Sequence, residues 1–130
     1  MTTYLADSSV LIALTTDTHS DHERCLSWID NSETFAMCPI TQGAVTRMML
    51  RNNHPLTTAQ STLRALEARP NWTLWPDDLS YATANLGDIH GHNQVTDAYL
   101  AALARAHNAK LATLDVGLAV THPDVTILIP

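Results

Sequence analysis

The sequence predicts an α/β domain built on a short, mostly parallel central sheet flanked by helices. Short apolar runs typical of strands alternate along the chain with segments whose apolar residues recur at helical spacing. A length of 130 residues is common for one domain, so we expect residues 1–130 to form a single domain. The composition, with 45% apolar and 15% charged residues, suits a folded core and argues against disorder.

The first 76 residues predict three strands and four helices. Strands are expected where short apolar runs end at Asp7, Pro39 and Pro76, at residues 4–6, 35–38 and 72–75. Helices are expected where apolar residues recur every three or four positions, over residues 9–14, 21–30, 40–51 and 57–69. This alternation favours parallel pairing of the strands.

The remaining residues predict two helices and two strands. Asp77 and Asp78 are expected at the N-terminus of a helix over residues 79–86, followed by a polar loop over residues 87–95. Thr96 is expected to cap a strongly apolar helix that runs to about residue 107. The last two strands are expected at residues 110–114 and 125–129.

Three aspartates fall at positions where a parallel sheet builds its binding sites. Asp7 and Asp115 each follow a predicted strand directly, and the carboxyl ends of parallel strands lie along one edge. Asp97 lies three residues before Leu100, so it extends the inward stripe of its helix by one turn. Three converging carboxylates suit a hard cation such as Mg²⁺ or Mn²⁺.

Each of the three aspartates also has a purely structural interpretation. Asp7 suits the N-cap of the first helix, and Asp97 suits the favourable field of a first helical turn. Asp115 suits a surface turn before Gly117. A phosphotransfer enzyme with Asp7 as its nucleophile is disfavoured, because Ser9 stands where such phosphatases carry a second Asp.

Four segments resemble, in order and spacing, the motifs of PIN-domain ribonucleases, and of VapC toxins in particular: residues 4–14 (YLADSSVLIAL), 38–42 (CPITQ), 94–100 (QVTDAYL) and 111–115 (LATLD). The resemblance implies that Asp7, Asp97 and Asp115 bind Mg²⁺ or Mn²⁺ and that Thr113 supports them. It also implies endonucleolytic cleavage of structured RNA, either tRNA or rRNA. Implied partners are a VapB-type antitoxin that covers the site and a second copy in a homodimer.

The second motif departs from the family at Gln42, where members commonly carry Glu. A glutamine amide supplies no negative charge, so we expect one well-occupied metal ion rather than two. The departure leaves an alternative open. In that alternative, the chain is a catalytically weakened PIN domain that acts as an RNA- or antitoxin-binding module.

The charge balance bears on the partners. A net charge of −6 argues against purely electrostatic binding to nucleic acid and suits a basic antitoxin segment. Arg47 and Arg51 share one helix face at i, i+4 spacing and are the candidates for RNA contact, although a solvated face explains them equally well. With no apolar run near the roughly 18 residues of a membrane span and no secretory signal, we expect a cytoplasmic protein without a membrane partner.

Several other residues have purely structural interpretations that compete with functional ones. Cys25 and Cys38 are expected to be buried apolar side chains rather than a disulfide or metal pair. The tryptophans are expected in the core or at a dimer interface rather than on RNA bases. His90 and His92 are expected in an ordered loop near the site rather than on a metal.

Overall fold

The computed structural model describes residues 2–30, 33–87 and 89–130. Over these residues the sheet has five strands, all parallel, in the order β3-β2-β1-β4-β5. The strands are β1 (Thr3–Ala6), β2 (Thr34–Met37), β3 (Trp72–Leu74), β4 (Lys110–Thr113) and β5 (Thr126–Leu128). The expected α/β class with a parallel central sheet is therefore confirmed.

Helices connect the strands on both faces of the sheet. Six α-helices are described: α1 (Ser8–Thr15), α2 (His22–Ile29), α3 (Pro39–Arg51), α4 (Leu56–Glu67), α5 (Val95–Ala106) and α6 (Val116–Thr121). A single 3₁₀ turn over His92–Gln94 leads directly into α5.

Alternate strand residues face two separate core layers, as the period of two in a strand requires. Ala6, Phe35 and Ala112 pack into the layer formed with α1 to α4. Leu5 and Leu111 pack into the opposite layer, which is formed mainly by α5 and α6. Because both faces are covered, the inner residues of the central strands, such as Leu5, Ala36 and Leu111, are apolar and fully buried.

The register of β1 against β4 positions the candidate site. Ala6 pairs with Ala112, and the amide of Asp7 donates to the Ala112 carbonyl at 3.0 Å. Asp7 and Thr113 thus leave neighbouring strands at the same level of the sheet edge. The sequence order places these residues far apart, and the central position of β1 brings them together.

The prediction of a helix over residues 79–86 is wrong. Over the described part of this segment the backbone forms a turn, in which the amides of Thr83 and Ala84 donate to the Ser80 carbonyl. The Tyr99 hydroxyl donates to the Leu79 carbonyl and accepts from the Leu79 amide, so a tertiary contact replaces helical hydrogen bonds. Residue 88, in the loop expected next, lies outside the described residues.

Two acidic residues expected to begin that helix have other surroundings. The carboxylate of Asp77 accepts a hydrogen bond from the Ile40 amide at 3.1 Å. Asp77 therefore supports the first turn of α3, whose free amides need acceptors. Asp78 is exposed.

Two other helices also differ from expectation, one in where it begins and one in not being predicted. Thr96 does not cap α5, because the preceding 3₁₀ turn moves the start of the helix to Val95. Residues 116–121 form α6, which the sequence did not predict. The Asp115 side chain caps it by accepting from the amides of Gly117 and Leu118.

The interpretations of the cysteines and tryptophans are confirmed. Cys25 and Cys38 are buried free thiols. Trp72 and Trp75 are buried, and Trp28 packs edge-on against Phe35 at 5.1 Å between ring centroids. In the part of the chain that the structure describes, no helix is long and apolar enough to cross a membrane.

Candidate active site

Asp7 lies at the centre of the candidate site, immediately after β1, and is only 4% exposed. It caps α1, since Oδ1 accepts from the Val10 amide at 3.2 Å. The Ser9 hydroxyl donates to the same oxygen. Burial raises the pKa of this carboxyl, and the hydrogen bonds from Ser9, Thr113 and the backbone oppose that shift. Asp7 therefore caps α1, as expected, and it also belongs to a cluster of polar side chains at the end of β1.

Thr113 and Ser9 tie the ends of β1 and β4 together. The fully buried Thr113 hydroxyl donates to Asp7 Oδ2 and accepts from the Asp115 amide at 2.9 Å. The Ser9 hydroxyl, which donates to Asp7, accepts from the Leu114 amide at 3.1 Å. This network holds the Asp7 carboxylate in one orientation and fixes the backbone that carries Asp115.

Asp97 lies in the first turn of α5 and is partly buried, as the inward stripe predicted. Burial raises its pKa most, and repulsion from Asp7 and Asp115 raises it further. The three carboxylates are therefore close enough to interact electrostatically. Asp97 accepts no hydrogen bond from any residue in the described part of the chain.

Asp97 and Asp115 line one open cleft of about 250 Å³. The exposed Asp115 side chain caps α6, where the sequence predicted a surface turn before Gly117. Asn93, Gln94 and His122 line the same cleft. The structure thus places two predicted acids on a shared surface, with Asp7 buried beside them.

His122 is a cleft residue that the sequence reasoning missed. It is 5% exposed, and its Nδ1 lies 3.2 Å from Nη2 of Arg105. Arg105 in turn makes a bidentate ion pair with Asp124. Burial and the Arg105 charge lower the pKa of His122, so the neutral ring accepts from Arg105 through Nδ1 and carries its proton on Nε2. No local motif marks this residue, because it follows a helix that was not predicted.

The hydrogen bonds of the Gln42 side chain go to residues other than the three aspartates. Its amide donates to the Glu67 carboxylate at 3.0 Å and contacts the Met37 sulfur at 3.5 Å. Gly43, Ala44 and Arg47, on the same helix, line a separate cavity. Among the described residues, no hydrogen bond joins Gln42 to the three carboxylates.

The two arginines proposed for RNA contact differ in position. Arg47 lines a second cavity of about 360 Å³, which we call the α3 pocket and define by Ser8, Ile40, Gly43, Arg47, Tyr81 and Thr96. Arg51 is exposed at the end of α3 and lines neither the cleft nor this pocket. Arg47 and Arg51 lie on one face of α3, but only Arg47 lines a cavity.

The donor set is chemically suited to a hard divalent cation. Its three carboxylates repel one another, and within the described residues none forms an ion pair with Lys or Arg. Carboxylate oxygens are the ligands that Mg²⁺ and Mn²⁺ prefer. Among residues 2–30, 33–87 and 89–130, however, no three His, Cys, Asp or Glu side chains are close enough to hold an ion as they stand.

An α/β domain with acids at the carboxyl edge of this sheet matches a known class. The chain matches the model of the PIN domain over residues 4–121. A chain in the crystal structure of VapBC2 from Rickettsia felis bound to a promoter DNA fragment has the same fold. Its TM-score is 0.68 at 15% identity, with 98% of this chain and 99% of that chain covered.

Two relatives from Mycobacterium tuberculosis narrow the class. Ribonuclease VapC29 is 45% identical over 129 residues, covering 98% of this chain and 97% of the relative. Ribonuclease VapC44 is 35% identical over 126 residues, covering 90% and 89%. The chain belongs to the PIN-domain family and, within it, to the VapC group, as its four motifs predicted.

Proposed function

We propose that this protein is a divalent-metal-dependent endoribonuclease that cleaves structured RNA and acts as the toxin of a toxin–antitoxin pair. The observation that carries the proposal is that Asp97 and Asp115 line one cleft, while Asp7 lies buried at the end of β1, the strand next to the one that Asp115 follows. The name ribonuclease, given to both VapC relatives, supports the same chemistry.

Asp7, Asp97 and Asp115 would hold the metal ion. A bound Mg²⁺ or Mn²⁺ supplies activation of water and neutralisation of charge on the phosphodiester. Thr113 and Ser9 keep the Asp7 carboxylate oriented through their hydrogen bonds. With three carboxylates and no acid from α3 beside them, the site supports one ion, and calorimetry should find a single tight site.

The role of the remaining cleft residues is to receive RNA. Asn93 and Gln94 line the cleft beside Asp97, and their amides suit phosphate and ribose oxygens. Gln94 already accepts a hydrogen bond from the His90 amide at 2.7 Å, which orders this loop. The substrate that we propose is structured RNA, either tRNA or rRNA.

The antitoxin proposal rests on charge and on relatives. A net charge of −6 and an uncompensated acidic cleft favour a basic antitoxin segment over the site. The structurally similar chain from Rickettsia felis belongs to a VapBC2 assembly on promoter DNA. We therefore infer a VapB-type antitoxin for this chain and place the pair in the cytoplasm. Homodimerisation stays a prediction that sedimentation analysis would test.

A catalytically weakened PIN domain that acts as an RNA- or antitoxin-binding module is the second candidate. It is based on Gln42, which supplies no negative charge and whose amide donates to Glu67. The spacing of the acids also favours it, because no three His, Cys, Asp or Glu side chains among the described residues are close enough to hold an ion as they stand.

The test is cleavage of total cellular RNA by the purified chain with Mg²⁺ or Mn²⁺. We expect discrete fragments that disappear with EDTA and with Asp97→Ala, and mapping of their ends would identify the RNA. A folded, metal-loaded chain that leaves the RNA intact would contradict the proposal. Asp17→Asn, an exposed substitution outside the cleft, is the matched control and should cleave normally.

A further inference from the structure

The α3 pocket is a second concave surface next to the acids that the proposed catalysis does not use. We propose that it is a nucleotide-binding subsite, where Arg47 binds a backbone phosphate of the RNA and Tyr81 stacks on a base. This inference deepens the proposed function and rests on it for the identity of the ligand as RNA.

Two residues that line the pocket are the immediate sequence neighbours of two of the acids. Ser8 lines the pocket and directly follows Asp7, while Thr96 lines it and directly precedes Asp97. A strand of RNA whose phosphate lies at the acids therefore has a neighbouring nucleotide within reach of the pocket. The two hydroxyl groups add hydrogen-bond partners for ribose or phosphate oxygens.

Arg47 supplies the positive charge that an acidic protein needs to hold RNA. Three other arginines are committed to carboxylates, as Arg24, Arg69 and Arg105 form ion pairs with Asp21, Asp30 and Asp124. Arg47 makes no ion pair or hydrogen bond with the described residues. The guanidinium lies beside Gly43, one turn earlier, where a Cβ would be in ordinary van der Waals contact with Nη1 at 3.7 Å.

Tyr81 also lines the pocket and supplies a stacking surface. It is 48% exposed, and it is the one exposed Phe, Tyr or Trp side chain among the described residues. One face of its ring stacks on Tyr99, at 4.5 Å between centroids. Tyr99 is buried and anchored through its hydroxyl to both backbone groups of Leu79. Tyr81 is therefore a half-exposed ring supported by a buried one, which suits stacking on a nucleobase.

The chemistry of the lining favours a nucleotide. An unpaired guanidinium recognises phosphate, an exposed tyrosine stacks on any base, and two hydroxyl groups serve the sugar and phosphate oxygens. The pocket combines these three kinds of group within one cavity of about 360 Å³. The tryptophans considered for stacking from the sequence are packed into the core and leave this role to Tyr81.

The test measures RNA binding separately from cleavage. Every variant is made in the full chain with Asp97→Asn, so that a fluorescein-labelled 12-nucleotide oligoadenylate stays intact during anisotropy titrations in Mg²⁺. Arg47→Gln is compared with Arg51→Gln, which removes the same charge from the same helix outside the pocket. Tyr81→Ala is compared with Tyr81→Phe, which keeps the ring. An abasic ribose-phosphate chain of equal length reports the contribution of the bases.

We expect Arg47→Gln and Tyr81→Ala each to weaken binding roughly five-fold or more, as loss of a phosphate contact or a stacked base does. Arg51→Gln and Tyr81→Phe should stay within about two-fold of the parent. The slope of log affinity against log salt should fall by about 0.7 in Arg47→Gln only, the value for one phosphate of a single strand. Removal of the bases should weaken the parent more than it weakens Tyr81→Ala.

Equal losses in Arg47→Gln and Arg51→Gln would overturn the subsite, because they would indicate a diffuse charge effect. Unchanged binding in Tyr81→Ala would also overturn it. These outcomes are independent of catalysis: a chain that cuts RNA with unchanged binding in both variants refutes the subsite alone. A chain that shows the expected binding pattern but never cuts RNA refutes the proposed activity alone.

Discussion

The hydroxyl of Thr113, at the end of β4, donates a hydrogen bond to the carboxylate of Asp7, at the end of β1, across 2.5 Å and 106 residues of sequence. Both residues are buried, and the same hydroxyl accepts from the Asp115 amide. One side chain thus orients a candidate metal ligand and holds the backbone of another.

Replacing Thr113 by Val, which keeps the shape and removes the hydroxyl, tests this link. The free energy of unfolding should fall by roughly 2–3 kcal/mol, since a buried carboxylate loses a donor and a buried amide loses its acceptor. RNA cleavage should fall as well, because Asp7 loses its fixed orientation. Urea denaturation and the cleavage assay measure the two effects. Thr113→Ser keeps the hydroxyl and should retain most of the stability and most of the cleavage activity. Equal losses in Thr113→Ser and Thr113→Val would show that packing alone matters.

Asp97→Asn is expected to raise the Tm of the metal-free protein. Burial and the neighbouring Asp7 and Asp115 raise the pKa of Asp97, so its charged form is disfavoured in the folded state at neutral pH. The neutral amide removes that repulsion. Thermal melts in EDTA measure the gain, with Asp17→Asn as the exposed control that should leave the Tm unchanged.

The same variant should lose most of the stabilisation that Mg²⁺ brings. An ion that binds only the folded chain raises its stability in proportion to the logarithm of ion concentration over Kd. We expect the Tm of the parent and of Asp17→Asn to rise with Mg²⁺ and the Tm of Asp97→Asn to rise far less. An identical Mg²⁺-induced shift in all three proteins would contradict a metal site at Asp97.

Gln42→Glu is expected to give no gain in cleavage. The side chain lies against Glu67, so a new carboxylate there repels that residue instead of joining the site. The cost in stability should be below about 1 kcal/mol for an exposed pair. Adding Glu67→Gln to the variant should restore the stability, as urea denaturation can show. A ten-fold gain in cleavage would instead support the alternative that the chain is a catalytically weakened PIN domain.

His122 is expected to make stability fall as the pH drops below about 6.5. Burial and then Arg105 lower its pKa below 6.5, while Asp124 opposes the shift. The unfolded chain takes up a proton near pH 6.5 and the folded chain only at lower pH, so stability falls as the pH falls through this window. Denaturation midpoints at pH 7 and pH 5.5 should differ more in the parent than in His122→Gln. His54→Gln, at an exposed position, should behave like the parent.

Much of the fold was predictable because strands and helices leave periodic patterns in sequence. The five strands and the helices α1 to α5 follow apolar spacing that any burial of their faces would require. The errors lie where tertiary contacts replace local ones. The segment near Leu79 is held by the Tyr99 hydroxyl, and α6 is too short to leave a clear pattern.

The sequence by itself determined the α/β class, the family and the positions of three acids, because strand ends and motif spacing are written locally along the chain. Only the tertiary structure decided which side chains meet. It places Thr113 on Asp7, adds His122 to the cleft, turns Gln42 toward Glu67 and separates Arg47 from Arg51. These relationships depend on strand order, register and the rotation of each helix. Packing of the whole core sets all three, and no local stretch of sequence records them.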